Sequence, residues 1–137
     1  MKADVDEKIA VDFDGVLVEC IPYDVDYIPD KFGEPIPMMI ERVKRWLAEG
    51  KEIVIFTARV HPSNPEEAEI ARSAIQRFCL NTFGMILEVT CMKSPKITRF
   101  YDDLAVTVEK DTGRILTPGF DKEEKDVPDA LGSFLSE

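Results

Sequence analysis

Two aspartates two positions apart, Asp12 and Asp14, close the apolar run Ile9-Ala10-Val11 in the segment Asp12-Phe13-Asp14-Gly15-Val16. Side-chain direction repeats every second residue along a strand, so this spacing predicts two carboxylates leaving on one side. Gly15 follows directly and lets the chain turn without a Cβ penalty. Open α/β sheets bind ligands outside the carboxyl ends of their strands, which is where this pair stands. Close carboxylates repel and one pKa rises, unless a cation or a shared proton relieves them. A divalent metal is the usual relief, and oxygen-only ligands favour Mg²⁺. Asp-Gly is also an ordinary turn pair, so the motif alone fits a solvated turn equally well. The weight comes from further along the chain.

Three more apolar runs end in polar residues of matching chemistry. Ile53-Val54-Ile55-Phe56 runs into Thr57-Ala58-Arg59, and the run from Met85 to Cys91 into Lys93-Ser94-Pro95-Lys96. Arg99-Phe100-Tyr101 runs into Asp102-Asp103. Each predicted strand thus delivers a carboxylate, a hydroxyl or an ammonium to one sheet edge. The set suits phosphoryl transfer. One carboxylate can attack phosphorus, and a second can move protons for leaving group and water. A hydroxyl, an ammonium and a metal can hold oxygens onto which charge develops. Arg59, beside Thr57, is placed for a substrate contact. His61, the only histidine, stands in a loop with no other His or Cys ligand near it and reads as a surface residue.

The elements between these exits are helical. Met39, Ile40, Val43, Trp46 and Leu47 recur at helical spacing after Pro35 and Pro37, with Gly50 as the stop. Asn64-Pro65 with Glu67 signals a helix start, and Ala68, Ala71, Ala74, Ile75 and Phe78 form its apolar stripe, ending before Gly84. The continuous apolar strands alternating with helices predict an α/β fold. The expected architecture is a three-layer, doubly wound, mainly parallel sheet with right-handed crossovers. Residues 17–37 lack a period and read as a flap; for Tyr23, Asp24, Asp26 and Tyr27 a solvated acidic loop is the better reading than a lining of the site. Ala105 to Leu116 reads as a C-terminal β-hairpin turning at Asp111-Thr112-Gly113. Residues 118–137 read as a solvated tail.

At 137 residues the chain is expected to form one domain with one core. Its 27 acidic against 17 basic residues, a net charge of −10, argue against duplex nucleic acid and anionic membranes as partners. A small phosphorylated substrate remains compatible. Cys20, Cys79 and Cys91 lack metal or disulfide spacing, and no run approaches a membrane span. The acidic N-terminus does not look like a signal peptide, so a cytoplasmic protein, monomer or homodimer, is expected.

In this order the residues resemble the haloacid dehalogenase-like (HAD) phosphohydrolases, over residues 8–109. That family carries an Asp-x-Asp after its first strand and a Ser or Thr after its second. A Lys and then an acidic pair follow on later elements. The resemblance implies an Mg²⁺-dependent phosphomonoester hydrolase acting through an aspartyl-phosphate on a HAD-like Rossmannoid fold. It implies Asp12 as nucleophile and metal ligand, and Asp14 as acid/base with its backbone carbonyl on the metal. Thr57 and Lys93, or Lys96 in its place, would bind the phosphoryl group. Asp102 and Asp103 would complete the metal site. Neither inter-strand gap has room for a cap domain, so the likeness is to small capless members, including phosphatase domains of polynucleotide end-healing enzymes. Those often follow the acidic pair with Arg, where this chain has Leu104. They commonly have Lys-Pro, where it has Lys93-Ser94-Pro95. The substrate classes left open are a nucleotide, a sugar phosphate and a polynucleotide 3′-phosphate. Two other classes of function use similar residues: a receiver-like phospho-acceptor and a non-catalytic binding domain. Receivers lack a second aspartate two residues after the phosphorylated one, which makes Asp14 the discriminating residue.

Overall fold

The computed structural model describes residues 7–22 and 26–120. The chain divides into two compact units, Met1–Asp103 and Leu104–Glu137, where the sequence suggests one domain. Among the described residues the first holds four strands, β1 (Lys8–Val11), β2 (Glu52–Phe56), β3 (Glu88–Thr90) and β4 (Ile97–Tyr101), and two α-helices, α1 (Pro37–Ala48) and α2 (Pro65–Phe83). The strands form one sheet in the order β3-β2-β1-β4, and every pairing is parallel. An α/β layered fold with a parallel sheet is therefore what this sequence adopts. No helix among the described residues is long and apolar enough to cross a membrane.

The helix signals act as their chemistry dictates. The Asn64 side chain accepts the Glu67 N–H at 3.2 Å, Pro65 occupies the first turn, and Gly84 ends α2 in a left-handed conformation. Helix α1 begins at Pro37 without a side-chain cap, and buries Ile40, Val43 and Trp46. The two helices share one core cluster with Ile9, Val11, Ile53, Ile55 and Val89. Strand register aligns Ile9 with Ile53 and Val11 with Ile55 and Tyr101, so these side chains project from one sheet face. Both helices pack on that face. Moving from β1 to β2 to β3 in one direction with right-handed crossovers requires it.

The opposite face is built differently. Ala10 and Val54 are buried there, outside that cluster, and Phe56 and Phe100 meet edge to face at 5.3 Å. The chain returns from β3 to β4 through only six residues, 91–96, and must cross three strand spacings of about 4.8 Å each. A helix of that length would span about 9 Å, too little for the crossing, so the return is extended. Among the described residues no helix covers this face, whereas the sequence leads one to expect helices on both.

The flap also departs from expectation at its ends. Leu17 and Val18 are wholly buried, so the core extends past Gly15 into the segment read as loop. Residues 17–19 pair antiparallel with 34–36: Glu19 N–H donates to Glu34 C=O and Ile36 N–H to Leu17 C=O, both at 2.8 Å. Gly33 sits so close to the Glu19 carbonyl that a Cβ would overlap it. The flap proper is the loop beyond that pairing. Tyr23 and Asp24 lie outside the described residues, as does the tail beyond Phe120. All three cysteines are free thiols, with Cys79 buried in the core.

In the second unit, Val108 and Ile115 form a single antiparallel bridge, flanked by Glu109 N–H to Arg114 C=O and Leu116 N–H to Thr107 C=O. Asp111 and Gly113 take positive φ at the turn between them. This is the position of the anticipated hairpin, reduced to one bridge rather than a ladder of strand length.

Candidate active site

The strand order places a topological reversal between β1 and β4. From β1 the chain moves to β2 and β3 on one side, then returns to β4 on the other. At such a reversal the loops leaving neighbouring strands part in opposite directions and open a crevice at the carboxyl edge. Asp12 leaves β1 there and Asp102-Asp103 leave β4.

The turn after β1 is fixed from beneath by Phe13. Its ring is wholly buried and meets Phe32 at 4.8 Å and Phe78 at 5.6 Å, both edge to face. Its carbonyl accepts the N–H groups of Val16, Leu17 and Val18. With Phe13 locked into the core, Asp12 projects to the other side. The Asp12 N–H donates to Tyr101 C=O at 2.9 Å and continues the β1–β4 ladder, while its Oδ1 accepts the Phe13 N–H at 2.7 Å.

Asp12, Asp102 and Asp103 each offer a carboxylate oxygen, and these oxygens all lie within 4.8 Å of one another. Asp103 reaches this position across Gly15. Gly15 has φ +86°, and a Cβ built on it would stand 2.7 Å from Asp103 Oδ2. Glycine suits that position twice over, for the backbone angle and for the approach of the β4 carboxylate. The Asp12 carboxyl is pushed up to about 6, chiefly by burial and further by the charges of Asp102, Asp103 and Asp14, against the Phe13 N–H bond that lowers it. An oxygen-only set with mutual repulsion fits a hard divalent cation, and Asp12, Asp102 and Asp103 are the residues that could hold one.

Asp14, expected beside Asp12, stands apart from this trio. The chain leaves the β1–β4 ladder after Asp12, and the turn carries the Asp14 side chain to Arg59 instead. Arg59 Nε donates to Asp14 Oδ2 at 2.7 Å and Nη2 to Oδ1 at 2.9 Å, a bidentate pair with the arginine side chain only 8% exposed. The same guanidinium donates through Nη1 to the carbonyls of Ile28, at 3.3 Å, and Pro29, at 3.2 Å. It also lies over the rings of Tyr27 and Phe32, at 5.1 and 5.6 Å. Burial works against its charge, but Asp14 and Tyr27 outweigh that and its pKa is raised. Arg59 thus faces an aspartate and the flap in this structure, where the sequence reading gave it a substrate contact.

Thr57, at the end of β2, is buried, and its hydroxyl accepts the Arg59 N–H at 3.2 Å while its own N–H donates to Thr90 C=O. The hydroxyl therefore fixes the short 3₁₀ turn of Ala58–Val60 that presents Arg59. Of the two candidate lysines, Lys96 precedes Ile97, which pairs with Lys8 at the amino edge of the sheet. It stands the length of β4, roughly 16 Å, from the acidic pair. Lys93 follows β3 at the carboxyl edge, exposed, with its ammonium 5.4 Å from the Phe100 ring. Only Lys93 is on the side of the sheet that the site requires. His61 is exposed and its Nδ1 accepts the Ser63 N–H, as befits a loop residue.

Of the residues around Arg59, Tyr27 reads from sequence as part of a solvated flap and instead packs on the guanidinium. Sequence reasoning missed Phe32, which has no periodic signal, and the Ile28 and Pro29 carbonyls, which have no side-chain signature at all. A concavity of about 340 Å³ bounded by Asp30, Glu69, Ile70, Ser73, Ala74 and Arg77 lies against α2 and contains none of the strand-exit residues.

No family model matches the chain, and no curated protein matches it. It is similar to a solved structure described as the conserved protein coded by a locus from Bacteroides thetaiotaomicron. The two are 25% identical over 72% of this chain and 76% of that one, with a TM-score of 0.46.

Proposed function

We propose that this chain is an Mg²⁺-dependent phosphomonoester hydrolase of the HAD-like kind. The observation that carries the reading is the separation of two neighbouring aspartates into different surroundings. Asp12 joins Asp102 and Asp103, while Asp14 is held by Arg59. One carboxylate placed with a cation site and another tethered beside it is the division of labour that nucleophilic phosphoryl transfer needs.

In this reading Asp12 Oδ2 attacks phosphorus; the new O–P bond forms as the bond to the leaving oxygen breaks. Asp14, as the acid/base of this reading, gives that oxygen a proton. Water then attacks the aspartyl-phosphate, Asp14 takes the water proton, and Asp12 is released with inorganic phosphate. Lys93 would offset the added negative charge, and Thr57 would fix the turn that presents Arg59. Asp12, Asp102 and Asp103 would hold the Mg²⁺, which when bound supplies charge neutralisation between nucleophile and phosphate. The same reading takes the sheet as a doubly wound HAD-like plan, in which the extended 91–96 return stands in for a helix on the second face. It places the protein in the cytoplasm, with a small phosphorylated substrate.

The test is a screen of phosphomonoesters, with a nucleotide, a sugar phosphate and a 3′-phosphorylated oligonucleotide, in Mg²⁺ and in EDTA. The reading expects phosphate release with at least one class in Mg²⁺ and none in EDTA. Equal release in both would remove it.

A further inference from the structure

Arg59 satisfies two partners that are far apart in sequence, Asp14 in the turn after β1 and the flap carbonyls of Ile28 and Pro29. We infer that Arg59 is a positioning residue that couples the anchoring of flap residues 27–32 to the orientation of Asp14, so that neither is set independently. The catalytic half of this inference rests on the reading of Asp14 as the acid/base; the mechanical half does not.

The geometry leaves little freedom. A guanidinium has five N–H donors in one rigid plane. Nε and one Nη2 hydrogen are committed to the two oxygens of Asp14, and Nη1 faces both flap carbonyls. Turning the plane to favour one partner breaks alignment with the other. The rings of Tyr27 and Phe32 pack on the same group. Phe32 in turn touches Phe13, the residue between the two aspartates, and Phe78 of α2. A shift of the flap is therefore felt at Phe13 and at Asp14 of the Asp12-Phe13-Asp14 turn. The base of the presenting turn is also held, since Thr57 accepts the Arg59 N–H.

Coupling of this kind is reciprocal. Loosening Asp14 must loosen the flap by the same factor as loosening the flap frees Asp14. A purely structural arginine would not show this, because Asp14→Asn preserves side-chain volume and leaves Arg59 in place. It converts one of the two accepting oxygens into an amide nitrogen that cannot accept.

The experiment is amide hydrogen exchange read residue by residue in the free protein, for the unmodified chain, Arg59→Gln, Arg59→Lys and Asp14→Asn. The reporter is the Lys31 N–H, which donates to Ile28 C=O within the flap; the control is the Asp12 N–H, in the β1–β4 ladder. The inference expects Lys31 exchange to rise about tenfold in Arg59→Gln and in Asp14→Asn, in the range typical of coupling between sites. Control exchange should stay unchanged, and Arg59→Lys should fall between. If a phosphomonoester is turned over, Arg59→Lys should lower kcat with KM changed less than about twofold, since the fork faces Asp14 rather than substrate. A faster Lys31 amide in Arg59→Gln with no change in Asp14→Asn would overturn the coupling. So would a rise in KM alone. The predicted exchange pattern in a protein without phosphatase activity would support the coupling and remove only the catalytic reading.

Discussion

Replacing Gly15 with alanine should cost more than replacing the other left-handed glycines, and the excess measures the contact that assembles the site. Gly15, Gly50 and Gly84 have nearly the same φ, +86°, +84° and +79°. An alanine in this region costs about 1–2 kcal/mol relative to glycine, so that part is common to all three. At Gly50 and Gly84 nothing lies within 4 Å of the added Cβ. At Gly15 the methyl would meet Asp103 at 2.7, 3.0 and 3.2 Å from Oδ2, Cγ and Oδ1. Asp103 is exposed and can rotate away, so the added cost is that of an off-rotamer side chain, about 1 kcal/mol. The totals are about 1–2 kcal/mol for Gly50→Ala and Gly84→Ala, and about 2–3 kcal/mol for Gly15→Ala. Urea unfolding followed by the fluorescence of Trp46, the single tryptophan, buried and 4.8 Å from Tyr101, reads these differences. Adding Asp103→Ala to Gly15→Ala should recover about 1 kcal/mol as a coupling energy. Equal costs at Gly15 and Gly50, with no coupling to Asp103, would show that β4 does not bring its carboxylate over the β1 turn.

Other outcomes follow from the same geometry. The Asp12 carboxyl lies near 6 in the fold against an ordinary 3.8, so the folded state holds a proton that the unfolded chain releases between those values. Its contribution to stability is present below pH 3.8 and is lost as pH rises through 6. Because Asp12 is partly exposed, about 1–2 kcal/mol is the expected size, and Asp12→Asn should abolish that part of the pH slope in chemical denaturation. An unchanged slope would count against the charge crowding. Mg²⁺ at a hundred times its Kd should stabilise the unmodified protein by about 2.7 kcal/mol. Thermal denaturation should show a larger gain at pH 7.5 than at pH 5, and none in Asp12→Asn; equal gains in both proteins would place the cation elsewhere. Leu17→Ala should cost about 2–5 kcal/mol in urea, as a core truncation does; a surface-like cost below 0.5 kcal/mol would return Leu17 to the flap.

The legible part of this fold was the part written in periodicity and capping. The Asn64-Pro65-Glu67 start and the Gly84 stop gave α2, and the Ile53–Phe56 run gave β2, because local chemistry decides them. Strand exits gave the three clustered carboxylates, since parallel strands put like ends together. The partner of Asp14 was not legible. Alternation along a strand puts it with Asp12, but the ladder ends with the Asp12 N–H, and the turn that follows obeys Phe13 packing rather than strand period. That no helix of the described residues covers the second face follows from a length argument available only once β4 is known to lie beyond β1. Leu17 and Val18 give no legible signal of burial because two residues are too few to show a period.

The most direct test of the account is covalent. Asp14→Asn protein is mixed with a radiolabelled aryl phosphate, whose leaving group needs no proton, and Mg²⁺, then quenched in acid and digested. Asp12 should take the phosphoryl group while the second step is slowed about 10²–10⁴-fold. The account predicts label on the peptide containing Asp12, dependent on Mg²⁺ and absent when Asp12→Asn is added. Mg²⁺-dependent release of phosphate by the unmodified protein, with no label on that peptide at any time point, would contradict it.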